Sequence, residues 1–151
     1  MNLPTSIAST QVQMTGQMLA EKSPHILYDI RDDVSLLEKA RKASMSKGPW
    51  GVAIPHGFVG SPEWWSALES GQIKLETFVG TISSTDYGPM GDTLEVHIKG
   101  PEGVQSWIAW KGFELALVGT KVRTHYVRLA PKNPSTDSRP IPVLLQVEAM
   151  D

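Results

Sequence analysis

The residues of this chain best able to do chemistry are four histidines, and their spacing argues against a metal site. His25, His56, His97 and His125 are scattered along the sequence, and no pair of them has HxH or HxxxH spacing. Such spacing would place two imidazoles on one face of a strand or helix, where they could hold an ion. We interpret the four as surface or hydrogen-bonded histidines, and we predict no metal and no cofactor.

The other catalytic residue types also have simpler explanations. Asp29, Asp32 and Asp33 could hold Mg²⁺, but a helix cap and first-turn charges explain this cluster. Ser61 stands before Pro62 in a capping position, and no GxSxG motif is present. A serine nucleophile would need a base and an orienting acid beside it. The chain contains no cysteine, which excludes a disulfide scaffold, a thiolate metal site and cysteine catalysis. The sequence therefore predicts a protein that is not an enzyme.

An exposed aromatic side chain is the residue most suggestive of binding. If Trp110 points into the core, strict strand alternation turns Trp107 outward, beside His97 and Lys99 on the preceding strand. An exposed tryptophan offers a stacking platform for a nucleic-acid base. The alternative is that Trp107 is covered by the N-terminal half or by a dimer partner.

Positive charge is concentrated in the second half of a chain whose net charge is -2. Residues 105–140 contain six cations and two anions, and Lys121, Arg123 and His125 alternate with Val122, Thr124 and Tyr126. This basic strand face would suit phosphate contacts, although lysine and arginine also serve to protect a strand edge. Glu95, on the face predicted to bind through Trp107, His97 and Lys99, counts against nucleic acid. The predicted nucleic-acid-binding residues are Trp107, Tyr87, His97, Lys99, Arg123, Lys132 and Arg139.

The elements that position these residues are predicted from periodicity and capping signals. Alternation of apolar residues predicts five strands in the second half, with a short helical piece, FELALV, between the third and the fourth. Gly80, in the middle of the first strand, predicts a bend or bulge. In the first half we expect a weak helix, a short apolar run HILYDI that is either strand or connector, and two capped helices. The predicted helices are 11–22, one from a cap at Asp32 to about Lys47, and one from Ser61 to Gly71; the predicted strands are 76–84, 93–99, 104–110, 120–129 and 143–149, with 52–54 as a further strand.

Three strands in a meander, a short helix and two more strands resemble the order of the OB-fold. The fold predicted is α+β: a five-stranded OB-like barrel over 76–151, with an SH3-like barrel as the alternative, and a helical elaboration over 1–75. The OB resemblance implies binding of single-stranded nucleic acid on the sheet face of the second and third strands. The alternative function is protein–protein interaction or assembly, including a homo-oligomer, through the apolar segment 50–59 or an exposed tryptophan. We expect a cytoplasmic protein with no membrane contact, since no signal peptide or transmembrane segment is recognisable.

Overall fold

The computed structural model describes residues 18–48, 51–88, 91, 93–110, 118–133 and 139–150. Within these residues the chain forms six strands and two α-helices, with a 3₁₀ turn after the first strand. In chain order the elements are β1 (Ile26–Asp29), α1 (Val34–Met45), α2 (Pro62–Glu69), β2 (Glu76–Tyr87), β3 (Leu94–Gly100), β4 (Gly103–Ile108), β5 (Lys121–Leu129) and β6 (Ile141–Ala149).

The strands form one open antiparallel sheet in the order β1-β6-β5-β2-β3-β4. The strands β2, β3 and β4 form a meander, and β2 pairs on its other side with β5. Alternation of apolar residues sets which face is buried, because successive side chains of a strand point to opposite sides. The strand side chains with almost no exposure include Ile82, Val96, Ile98, Val122, Leu145 and Val147.

The predicted barrel does not close, and it does not have five strands. Closure of the OB-like order would require the third predicted strand, β4, to pair with the fifth, β6. Instead β1 pairs with β6, with Asp29 opposite Gln146, and β4 remains at the end of the sheet. The HILYDI run, which the sequence left open between strand and connector, therefore supplies the sixth strand.

The predicted bulge lies two residues away from its expected position. The register of β2 with β3 shifts between Ile82 and Ser84 rather than at Gly80. Gly80 has a different role, since a Cβ there would lie 2.6 Å from the backbone oxygen of Lys99. The glycine allows close approach of two strands.

The two helices begin at caps that the sequence encodes. Ser61 caps α2 by accepting a hydrogen bond from the backbone N–H of Trp64, and Pro62 occupies the first helical turn as predicted. Gly71 follows the helix with φ of 88°, a left-handed conformation that favours glycine. The cap of α1 is Asp33 rather than Asp32, since the Asp33 side chain accepts from the backbone N–H of Leu36.

Two compact units are distinguished along the chain. The sheet unit contains Glu21–Asp32, Glu76–Tyr126 and the chain from Leu144, and the helical unit contains Asp33–Leu75 and Val127–Val143. In the helical unit the buried side chains include Val52, Val59, Trp64, Leu68 and Ile73. The division at residues 1–75 and 76–151 stays a prediction.

Several predicted features lie partly or wholly outside the described residues. Trp50 and all of the FELALV helix except Val118 are outside them, and Val118 lies in a turn. Of the predicted helix 11–22 the described part, 18–22, is not helical. The predicted strand 52–54 is reduced to one isolated bridge between Val52 and Pro131. None of the helices in the described part of the chain has the length and apolar character needed to cross a membrane.

Candidate interaction surface

The outward face of β2, β3 and β4 carries three cross-strand rows of side chains, which we call the meander face. Directly paired residues of antiparallel strands point to the same side of the sheet, so the register defines each row. The acidic row is Asp86–Glu95–Ile108, the histidine row is Ser84–His97–Ser106, and the lysine row is Thr81–Lys99–Val104.

The acidic row places two carboxylates directly opposite each other. Asp86 pairs with Glu95 in the register, and like charges at such positions destabilise a sheet when nothing offsets them. Gly88 makes room for the Glu95 side chain, because a Cβ at Gly88 would lie 2.6 Å from Glu95 Oε2. Ile108 extends the row with a side chain that is 68% exposed. The row therefore presents negative charge next to an exposed apolar group.

The histidine row connects to this acidic pair through hydrogen bonds. His97 Nδ1 lies 2.6 Å from Ser106 Oγ, and His97 Nε2 lies 2.9 Å from Asp86 Oδ1. Ligand atoms of Asp86, Glu95 and His97 all lie within 4.8 Å of one another. Such a set has the chemistry to attract a cation, whether a metal ion or a cationic side chain.

The same three side chains have the order of a hydrolytic triad, serine to histidine to aspartate. Their surroundings do not match that role, since Ser106 is exposed and lies on a strand at the end of the sheet. A triad also works with positioned donors for an oxyanion, in a site that excludes water. We therefore interpret Ser106, His97 and Asp86 as a surface network.

The lysine row gives the other end of the meander face the opposite charge. Thr81 is paired with Lys99 on one side and with Lys121 of β5 on the other. Both lysines are exposed, and an open cavity of about 470 Å³ lies beside them, lined also by Phe78 and Gly100. The meander face is thus acidic at one end and basic at the other.

Trp107, the predicted stacking residue, does not point outward. Its ring packs against Tyr126 with 5.6 Å between centroids, and its Nε1 donates to Gln105 Oε1. The same Gln105 oxygen accepts a hydrogen bond from Thr124 on β5. Alternation counted back from Trp110 gives the wrong face for Trp107, because β4 ends at Ile108, two residues before Trp110.

Two of the three basic side chains predicted on one face of β5, Arg123 and His125, contact a carboxylate within the sheet unit. His125 Nε2 lies 2.6 Å from Glu148 Oε1, and Arg123 lies 3.7 Å from the other oxygen of Glu148. His125 Nδ1 also lies 3.1 Å from Thr77 Oγ1. The sequence predicted that these basic side chains share one face of β5. It did not predict that Glu148 of β6 supplies the carboxylate beside them.

The remaining predicted site residues are dispersed. Lys132, in the helical unit, donates to the backbone oxygens of Ala43 and Ser46 at the end of α1. Tyr87 ends β2 with 64% exposure, and Arg139 is exposed shortly before β6. The structure brings His97 and Lys99 together on the meander face, whereas Lys132 belongs to the helical unit.

The sequence did not predict the carboxylate partner of either His97 or the buried His125. Asp86 and His97 are eleven residues apart across a turn, and His125 and Glu148 are twenty-three apart. No local spacing rule links such residues, because their contact depends on strand register and on a bulge. Alternation within β3 was the available signal, since it places Glu95 and His97 on one face.

Comparison with known proteins gives the chain its family. A search of curated proteins found none that matches it. A family model described as "Immunity protein RhsI2" matches residues 25–103, which extend from just before β1 to the start of β4.

This match overturns the function predicted first. An immunity protein acts through a protein partner, so the prediction of an OB-fold domain that binds single-stranded nucleic acid is wrong. The alternative, protein–protein interaction, is supported. Because the matched residues make up more than half of the sequence, the chain belongs to the immunity protein RhsI2 family.

Proposed function

We propose that this chain is an immunity protein that binds a cognate Rhs toxin and neutralises it without chemistry of its own. The observation that carries the proposal is membership of the immunity protein RhsI2 family. A non-enzymatic role agrees with the exposed position of Ser106 beside the partly buried His97 on an open sheet face. Inhibition then depends on the affinity and lifetime of the complex.

The meander face is the surface we assign to toxin binding. Protein interfaces combine an apolar centre with charged groups that set orientation and association rate. On this face Val104 and Ile108 supply exposed apolar groups, and the acidic and lysine rows supply charge of both signs. A partner with the reverse arrangement of charge would be both oriented and held.

Protection of cells that make the toxin is the direct test of this function. Co-expression of the chain with its cognate toxin should restore growth, and the two purified proteins should elute together in size-exclusion chromatography. Glu95→Lys reverses a charge within the acidic row and should weaken the complex by roughly tenfold or more. Glu63→Lys is the matched control, since Glu63 is an exposed glutamate on α2.

The possible results distinguish the proposed function, toxin neutralisation, from the proposed binding surface, the meander face. If the unaltered chain neither protects cells nor binds the toxin, the proposed function is wrong. If the chain protects, but Glu95→Lys and Glu63→Lys both bind as the unaltered chain does, the function stands and the acidic row is not part of the interface.

A further inference from the structure

The end strand β4 lacks the features that usually protect a sheet edge. Edge strands are normally short or bear lysine, proline or inward-pointing charge, which prevent pairing with another chain. The sequence of β4, GVQSWI, contains no charged residue and no proline. Its outward-facing Val104 and Ile108 are 60% and 68% exposed. The opposite edge strand, β1, has two of these protective features, since it is only four residues long and ends at the charged Asp29.

The backbone of β4 has a defined set of groups facing away from β3. The backbone N–H of Ala109 donates to the carbonyl of Leu94, which makes that pair a hydrogen-bonded one. Hydrogen-bonded and non-hydrogen-bonded pairs alternate along an antiparallel ladder. Trp107 and Gln105, two and four residues before Ala109, therefore bond to β3, whereas the N–H and C=O groups of Val104, Ser106 and Ile108 point to the other side.

No strand pairs with that other side of β4 among the described residues. Backbone donors and acceptors arranged at alternate positions along an extended edge form a template for a further strand. The side chains beside this template are those of the meander face, with the apolar Val104 and Ile108 nearest the edge. The edge thus offers main-chain hydrogen bonds for affinity and alternate side chains for specificity.

We propose that an extended segment of the cognate toxin adds to β4 as a further antiparallel or parallel strand. This inference rests on the proposed function, because it takes the toxin as the partner that the family implies. The segment would place apolar side chains beside Val104 and Ile108. Beyond Ile108 the paired carboxylates Asp86 and Glu95 favour a lysine or arginine on the toxin, which would offset their mutual repulsion.

A proline substitution tests strand addition because it removes a backbone donor at a chosen position. Ser106→Pro deletes an N–H that points away from β3, so the pairing within the sheet is retained. Ser106→Ala is the matched control, since it also loses the hydroxyl on His97 but keeps the N–H. By calorimetry or biolayer interferometry with purified toxin, Ser106→Pro should bind roughly tenfold or more weakly, and Ser106→Ala should stay within about threefold of the unaltered chain.

A second variant keeps the test valid if the proline variant fails to fold. Val104→Lys places at the edge the charge that natural edge strands use, and its exposed position should accept lysine. Val34→Lys, on α1 with 64% exposure, is its control. Loss of toxin binding in Val104→Lys, with binding retained in Val34→Lys, places Val104 at the toxin interface, as strand addition to β4 requires.

Three results would overturn the inference. Folded Ser106→Pro and Val104→Lys proteins that bind toxin as tightly as the unaltered chain would exclude strand addition while leaving the proposed function intact. Absence of binding by the unaltered chain would instead remove the proposed function itself. A dimer in light scattering that Val104→Lys converts to monomer, with toxin binding unchanged, would assign the edge to a second copy of this chain.

Discussion

At the scale of single residues, Asp29 is a buried carboxylate with one partner two residues away, Arg31, and another in β6, Gln146. It accepts hydrogen bonds from the backbone N–H and the Nε of Arg31, at 2.9 and 2.8 Å, and from the Gln146 side chain at 3.0 Å. Burial by itself raises the pKa of this carboxyl, but the hydrogen bonds from Arg31 and Gln146 outweigh burial and hold the pKa below its usual value. The ionised form is therefore the one the fold requires.

Asp29→Asn should lower the free energy of unfolding by about 2 kcal/mol, because it removes the ionised partner of the Arg31 guanidinium, which is 34% exposed and so partly screened by solvent. Urea denaturation at neutral pH measures this difference. Asp32→Asn is the control, since the Asp32–Lys22 pair is about 60% exposed on both sides and should contribute less than about 1 kcal/mol. Equal effects of the two substitutions would contradict the role assigned to Asp29.

The lowered pKa of Asp29 also predicts how stability depends on pH. Above the ordinary aspartate pKa of 3.8, the carboxyl is ionised in both the folded and the unfolded chain, and its stabilising contribution is complete. As the pH falls below 3.8, the unfolded chain takes up a proton before the folded one does, so this contribution is lost. The stability difference between the unaltered chain and Asp29→Asn should therefore shrink as the pH is lowered from 5 toward 3. A constant difference over this range would count against the assignment.

At the scale of elements, the close approach of β2 and β3 depends on Gly80. A Cβ at this position would lie 2.6 Å from the Lys99 backbone oxygen and 2.9 Å from Ile98 Cγ2. Gly80→Ala should therefore destabilise the protein by about 1–3 kcal/mol, because the strands must separate locally. Gly48→Ala should be nearly neutral, since the nearest atom to its Cβ is Ser46 Oγ at 3.7 Å. Thermal unfolding of the two variants makes the comparison.

The same elements show why part of the fold followed from sequence and part did not. α2 was predictable because Ser61, Pro62 and Gly71 mark its ends by local chemistry, and β3 because its alternation is regular. β1 was not, because its pairing residue Gln146 is 117 positions away from Asp29 and nothing in HILYDI specifies it. Barrel closure failed as a prediction for this reason: the strand that occupies the edge of β6 comes from the other half of the chain.

The candidate site was less accessible to sequence reasoning than the fold. His97 and Lys99 were placed on the correct strand and face, whereas Trp107 was turned the wrong way by extending alternation past the end of β4. The Asp86–Glu95 pair and the free side of β4 depend on register and on sheet order, which are long-range properties. The sequence shows which residues are charged, but it does not show that Asp86 and Glu95 lie opposite each other in the sheet.

At the scale of the whole molecule, the net charge of -2 gives no general attraction to nucleic acid, and recognition depends on how charge is arranged. On the meander face the acidic row and the lysine row each cross the strands β2, β3 and β4, and the histidine row lies between them. A face with this arrangement suits a partner that has one defined orientation, which is what an inhibitor of a specific toxin requires. The exposed apolar groups at β4 then supply the contact area.

Toxin binding should raise the melting temperature of the whole chain, because a ligand that binds the folded state stabilises it by mass action. At free toxin one hundred times the Kd, the gain is about 2.7 kcal/mol. For a chain of 151 residues this corresponds to a rise of roughly 5–10 °C. Incorporation of fluorotryptophan at the five tryptophans allows the transition of this chain to be followed by ¹⁹F resonance in the presence of toxin.

The controls for this melting experiment distinguish partner and surface. A single-stranded oligonucleotide at the same concentration should leave the melting temperature unchanged, and Ser106→Pro should show a smaller rise with toxin than Ser106→Ala. A melting temperature that does not increase with toxin concentration would show that the folded chain does not bind the toxin. A rise that is equal for the two Ser106 variants would place the interface elsewhere than the edge of β4, because the backbone donor that distinguishes them would then make no contact with the toxin.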